Sequence, residues 1–126
     1  MTKPPAPTLG QVAITVSDVQ KALAFYRDIL GLAFLFSPSQ TLAFLAAGSV
    51  RIMLSTPQGA GAVGANSILY FHVTDIESAH ARMVAAGATN EREPQLAARL
   101  PDHALWTSFL RDPDGNLVGL MEEKRH

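Results

Sequence analysis

Cysteine is missing from this chain, and tryptophan occurs once. The first absence excludes a disulfide-stapled scaffold, a thiol nucleophile and thiolate metal sites, without fixing a compartment. No apolar run approaches the length needed to cross a bilayer, and the opening MTKPPAPTL has no apolar centre of the kind a signal peptide carries. The expected setting is therefore the cytoplasm, away from membranes. An excess of either charge is also lacking: ten basic and eleven acidic residues leave a formal net charge of -1. That balance supplies no electrostatic footprint for nucleic acid or an anionic surface. The expected partner is a small, neutral-to-acidic molecule. What is present is 126 residues, 48% of them hydrophobic, enough for one packed core and too few for two ordinary domains.

Residues 1–8 carry three prolines and no periodicity, and read as an N-terminal arm. Order begins with QVAITV, Gln11 to Val16, where Val12, Ile14 and Val16 alternate with Gln11, Ala13 and Thr15 as in a strand. Asp18 is a helix N-cap, and Ala22, Leu23, Tyr26, Ile29 and Leu30 recur at helical spacing until Gly31. Three strand-like runs follow: LAFLFS, TLAFLAA and SVRIMLS. A Gly/Ala-rich linker at about 58–66 then leads to a second pass through the same order.

SILYFHV is a strand, and TDIESAHARMVAAG is a helix capped by Asp75 and ended by Gly87. VSDVQKA, Val16 to Ala22, and VTDIESA, Val73 to Ala79, match in residue type and order, which marks an internal repeat of about half the chain. Further strands are expected at about Asn90 to Glu91, Leu105 to Leu110 and Asn116 to Met121. DPDGN forms a tight turn between the last two. Two βαβββ modules, about 9–57 and 67–124, give one α+β domain. Capping accounts for Asp18 and Asp75, which need no catalytic role. Asp112, Asp114, Asn116 and Glu123 mimic a calcium loop, but Leu117 stands where that loop needs glycine and no helices flank it.

QVAITVSDVQKALAFYRDILGL, FHVTDIESAHARMVAAG and FLRDPDGNLVGLMEE together resemble the vicinal oxygen chelate superfamily, which includes glyoxalases, dioxygenases and bleomycin-resistance proteins. The resemblance runs from Leu9 to Lys124 and implies sheets curled around a cavity. It also implies, for metal-dependent members, one ligand on each of four strands. Those positions fall on Gln11, Met53, Ile68 and Gly119, and only Gln11 offers a donor. Neither imidazole nor carboxylate is present, so no metal and no other cofactor is expected.

Residues two apart share a strand face. Gln11 therefore brings Ala13 and Thr15, Met53 brings Arg51 and Ser55, Ile68 brings Tyr70 and His72, and Gly119 brings Leu117 and Met121. Glycine inside a strand marks a bulge, a bend or a close approach, and Gly119 is read as cavity space left where relatives keep a carboxylate. Gln11, Arg51, Met53, Ile68, Tyr70, His72, His103, Trp106 and Gly119 are the candidate ligand contacts. Arg51 would take an anionic group through paired hydrogen bonds, or else snorkel to the rim or pair with an acid of the protein. Trp106 stacks on a planar ligand or belongs to the core or an interface. His80 is expected to pack beside the sheet, and terminal His126 has no assigned role.

Two functions follow from the same residues. One is metal-free binding of a small, partly apolar molecule, with an anionic group for Arg51. The alternative is a metal-independent isomerase or lyase, with Arg51 stabilising negative charge and His72 or His103 moving a proton. A metal-dependent glyoxalase or dioxygenase ranks below both. Exposed sheet edges make a homodimer the expected assembly.

Overall fold

A computed structural model gives the fold and describes residues 5–57, 62–64 and 66–126. Half of the N-terminal arm and most of the expected linker lie outside the described residues. The elements run β1 (Gln11–Thr15), α1 (Val19–Leu23), β2 (Ala33–Ser39), β3 (Leu42–Ala47), β4 (Val50–Ser55), β5 (Leu69–His72), α2 (Ile76–Ala85), β6 (Thr89–Arg99), β7 (His103–Arg111) and β8 (Leu117–Arg125). The last turns of α1 widen into a π-helix over Ala24–Ile29. This is the expected α+β repeat.

The strands form two four-stranded sheets, ordered β1-β4-β3-β2 and β5-β8-β7-β6. The first strand of each module pairs in parallel with the last, and the remaining pairs are antiparallel. Asp18 and Asp75 are N-caps as expected. Asp18 accepts the Gln20 and Lys21 amides at 2.9 and 3.1 Å. Asp75 accepts the Ser78 amide, and Glu122 of β8 accepts the Asp75 and Ile76 amides at 3.1 and 2.9 Å. These contacts satisfy donors that a helix start leaves free.

One apolar core serves both modules, joining Leu45, Leu54 and Tyr26 of the first to Ile76, Leu110 and Leu120 of the second. Side chains of this size contribute roughly 1.5–3 kcal/mol each when fully buried. His80 does more than flank the sheet. It is 1% exposed, and its ring nitrogens meet Ser108 Oγ and Asn90 Oδ1, each at 2.8 Å, tying α2 to β7 and β6.

Polar contacts fix the module junction. Asn66 accepts the Thr15 amide at 3.2 Å and donates to the Thr15 carbonyl and to Asn116 Oδ1. Tyr26 donates to Asp112 at 2.7 Å, and Asp112 also accepts the Asp114 and Asn116 amides and the Asn116 side chain. Burial, reinforced by Asp112, pushes the Tyr26 phenol well above its ordinary pKa and keeps it protonated as the donor. The oxygens that mimic a calcium loop are thus engaged by the fold itself.

Strand boundaries differ from expectation, most of all in the second module, where β8 runs past Met121 to Arg125 and β5 is shorter than SILYFHV. The strand expected at Asn90 to Glu91 runs for 11 residues, Thr89 to Arg99, with three register shifts against β7. Pro94 and those shifts destroy the simple alternation that a sequence reading depends on. His103, which precedes the strand expected from Leu105, is the first residue of β7.

Candidate functional site

Each sheet has one face turned to its helix and one open face. On β4, Ile52 and Leu54 are buried toward the core, while Arg51 is exposed and Met53 half-buried on the other side. On β7, Ser108 and Leu110 are buried on the helix side, and Thr107 and Phe109 belong to the open side. The register pairs Gln11 with Arg51, Ala13 with Met53, Tyr70 with Gly119 and His72 with Met121. The expected face groupings therefore hold along the paired strands, while Ile68 precedes β5 and has no register partner.

On the first sheet, Arg51 Nε donates to Gln11 Oε1 at 2.7 Å, and the guanidinium lies 5.1 Å from the Phe44 ring centre. Phe44 stacks on Phe36, with ring centres 4.7 Å apart. The Gln11 amide nitrogen faces Met53 Sδ at 3.8 Å. A pocket of about 270 Å³ beside them is lined by Thr41, Leu42, Met53 and Ser55. Arg51 has no carboxylate partner among the described residues. Its remaining N–H groups are free to hold an anion, steadied by the ring and the amide.

On the second sheet, Gly119 is not the open space expected of it. A Cβ there would lie 2.6 Å from Tyr70 Cδ1 and 2.9 Å from Cε1. The absent side chain makes room for the ring of its cross-strand partner, which meets Phe109 edge-on at 5.7 Å. An aromatic ring over a strand glycine restores the cross-strand contact the glycine lacks. Trp106 takes the second of its two expected placements, with the core. It pairs with Glu122 on the helix side, packs against the core and carries the Lys124 ammonium 4.7 Å from its ring centre. It does not reach the open face.

His103 lies at the far end of the second open face. Its Nδ1 meets Asp102 Oδ1 at 2.8 Å and its Nε2 lies 3.6 Å from Glu123 Oε1. Arg125 also pairs with Asp102. The His103 hydrogen bond, with help from Arg125, holds the Asp102 carboxyl below its usual range. His72 and Ile68 instead border a cleft of about 550 Å³ between the modules, whose walls include Val12, Ile52, Leu69 and Phe71. The structure thus keeps Arg51 on one sheet and both candidate histidines on the other.

Sequence reasoning missed Phe44, Arg92, Thr107 and Phe109. Phe44 and Phe109 were accessible from strand parity once Met53 and Gly119 were placed, since each pairs directly with one of them. Arg92 was not, because a register shift decides its direction.

No cluster of three or more histidine, aspartate or glutamate side chains able to hold a metal occurs among the described residues. At the four positions expected to correspond to metal ligands stand an amide bonded to arginine, a thioether, an exposed isoleucine and a glycine beneath a tyrosine ring. This donor set does not fit a divalent cation.

A βαβββ repeat with such open faces defines an α+β protein built on paired modules, and the comparisons agree. The chain belongs to the Glyoxalase/Bleomycin resistance protein/Dioxygenase superfamily, whose family model matches residues 8–120. It is similar to the lactoylglutathione lyase of Agrobacterium tumefaciens, at 26% identity over 94% of this chain and 95% of that one, with a TM-score of 0.75. An antibiotic binding protein from a Streptomyces species is 20% identical over 97% and 100% of the two chains, TM-score 0.76, a likeness of fold alone. A superfamily member from Sphaerobacter thermophilus is 23% identical over 94% and 98%, TM-score 0.75. No curated protein sequence matches the chain. No helix among the described residues is long and apolar enough to cross a membrane, which does not bear on β-barrels.

Proposed function

We propose that the protein binds a small, partly apolar molecule with an anionic group on its open sheet faces, without a metal. The observation that carries this reading is Arg51, placed over Phe44 and held by Gln11 where relatives use metal ligands. A guanidinium steadied by a ring and an amide, with no carboxylate partner among the described residues, is an anion receptor beside a pocket lined by Leu42, Met53 and the hydroxyls of Ser39, Thr41 and Ser55. The antibiotic binding protein of the same fold supports binding as a role this architecture serves. A thermal-shift panel of natural products and aromatic acids tests it. The expected result is stabilisation by anionic, partly apolar compounds, reduced in Arg51→Gln. No shift with any compound at millimolar concentration would count against it.

A metal-independent isomerase or lyase is the second reading. The Asp102–His103 contact favours it, because the carboxylate on Nδ1 orients the ring with Nε2 toward Glu123, a pair between which a proton can move. The lyase relative supports it at the level of family. It requires His103→Ala to abolish turnover with stability unchanged; normal turnover in that variant would remove it.

Two copies are proposed to pair. Phe34, Leu35 and Phe36 of edge strand β2 are exposed together, an arrangement edge strands seldom leave uncovered. Light scattering at micromolar concentration should give twice the chain mass, and a monomer mass would reject the pairing.

A further inference from the structure

The open face of the second sheet bears a cation that strand alternation would have sent elsewhere. Asn90 pairs with Leu110 and Arg92 with Phe109, so two residues of β6 oppose one step of β7. In a regular strand Asn90 and Arg92 would share a face. The extra residue lets Asn90 serve buried His80 on the helix side while Arg92 turns to the open side. A bulge that re-aims one side chain is a recurrent device beside binding sites.

Arg92 then meets a prepared surface. Its guanidinium lies 4.7 Å from the Phe109 ring centre, and Nη2 donates to Thr107 Oγ1 at 3.3 Å. The acids of its own strand are engaged elsewhere: Glu91 holds Arg111 at 2.6 Å, and Glu93 accepts from Asn90 at 3.0 Å. No carboxylate pairs with Arg92 among the described residues. Around it lies a pocket of about 610 Å³ walled by Tyr70, Leu105, Thr107, Phe109 and Met121. Tyr70 and Phe109 stand edge to face at 74°, leaving a right-angled aromatic corner. The other walls are a leucine, an alanine, a thioether and one hydroxyl.

We infer that this pocket binds a planar aromatic carboxylate. The ring lies against Phe109 and Tyr70 in the offset or edge-on geometry aromatic pairs prefer. The carboxylate takes the remaining donors of Arg92 and the O–H of Thr107, whose oxygen already accepts from Arg92. Gly119 belongs to the same construction, because only a residue without Cβ lets the Tyr70 ring form that wall. This site deepens the binding role proposed above and rests on it, but it uses a different arginine on a different sheet.

The test is an NMR titration of the full chain with 2-naphthoate, with methyl 2-naphthoate as the uncharged control. The expected result is saturable binding, with shifts centred on Thr107, Phe109 and Met121. The ester should bind at least about tenfold more weakly, and Arg92→Gln should lose naphthoate affinity by about the same factor, as for a lost charge-assisted contact. Arg92 is exposed, so that variant should retain the fold, which its spectrum reports directly. Unchanged affinity in Arg92→Gln, or no binding by the parent chain, would overturn the inference. Loss confined to Arg51→Gln would overturn it too, while leaving the proposed binding role standing on the first sheet.

Discussion

The two modules share a topology and aim different side chains at their open faces. In the first, the last strand supplies the cation: Arg51 sits opposite Gln11 and over Phe44. In the second, the last strand supplies Gly119, covered by Tyr70, and the cation comes from bulged β6 as Arg92 over Phe109. The repeated frame therefore keeps an arginine over a phenylalanine in both halves while changing the strand that delivers it. Frame and face are separable: buried leucines and caps fix the first, and single exposed positions vary the second.

The largest expected effect comes from attacking the frame that makes the halves comparable. Asp112→Ala removes the acceptor for the Tyr26 hydroxyl, for two amides and for the Asn116 side chain. Hydrogen bonds to charged groups contribute about 1.5–3 kcal/mol each, so the variant should lose at least about 3 kcal/mol in denaturant unfolding. A loss below about 1 kcal/mol would mean that the Asp112 contacts do not hold the modules together.

The second effect concerns the feature that sets the second module's last strand apart, Gly119 beneath Tyr70. Gly119→Ala forces the Tyr70 ring aside and should cost about 1–3 kcal/mol, the range for overpacking. In a Tyr70→Ala background the same change should cost much less, and additive losses in the double-mutant cycle would refute the ring-over-glycine account.

The smallest effect concerns the surface pair Lys124–Glu77, at 2.6 Å, which links β8 to α2 beside Trp106. The Lys124 hydrogen bond depresses the Glu77 pKa, and Glu77 raises that of Lys124. A depressed carboxyl stabilises the fold above its unfolded pKa and loses that contribution as pH falls through its folded value. The raised ammonium contributes below its unfolded pKa and loses that contribution as pH rises through its folded one. Glu77→Gln should therefore lower stability slightly at neutral pH, with the difference from the parent vanishing in acid. A difference that grows on acidification would reverse the assignment.

Much of this comparison was legible in the sequence. Asp18 and Asp75 announced the repeat because capping is local chemistry, and alternation on β1, β4, β5 and β8 placed Arg51, Met53, Tyr70 and Gly119 on the right faces. Gly119 was read as a void because a sequence shows a missing side chain but not the partner ring that fills its place. Trp106 was open between ligand and core because a large aromatic on a short strand suits either, and only the packing of α2 against β7 decides it. Arg92 was invisible, since its direction depends on a bulge set by the pairing of β6 with β7, a tertiary fact.

The central claim is that cations over aromatic rings replace metal ligands on these faces. Elemental analysis of untagged protein, before and after incubation with excess zinc, nickel, manganese and iron(II), tests it most directly. The account predicts far less than one metal per chain in every case, because Gln11, Met53, Ile68 and Gly119 offer no set of donors. One tightly retained metal per chain would contradict it.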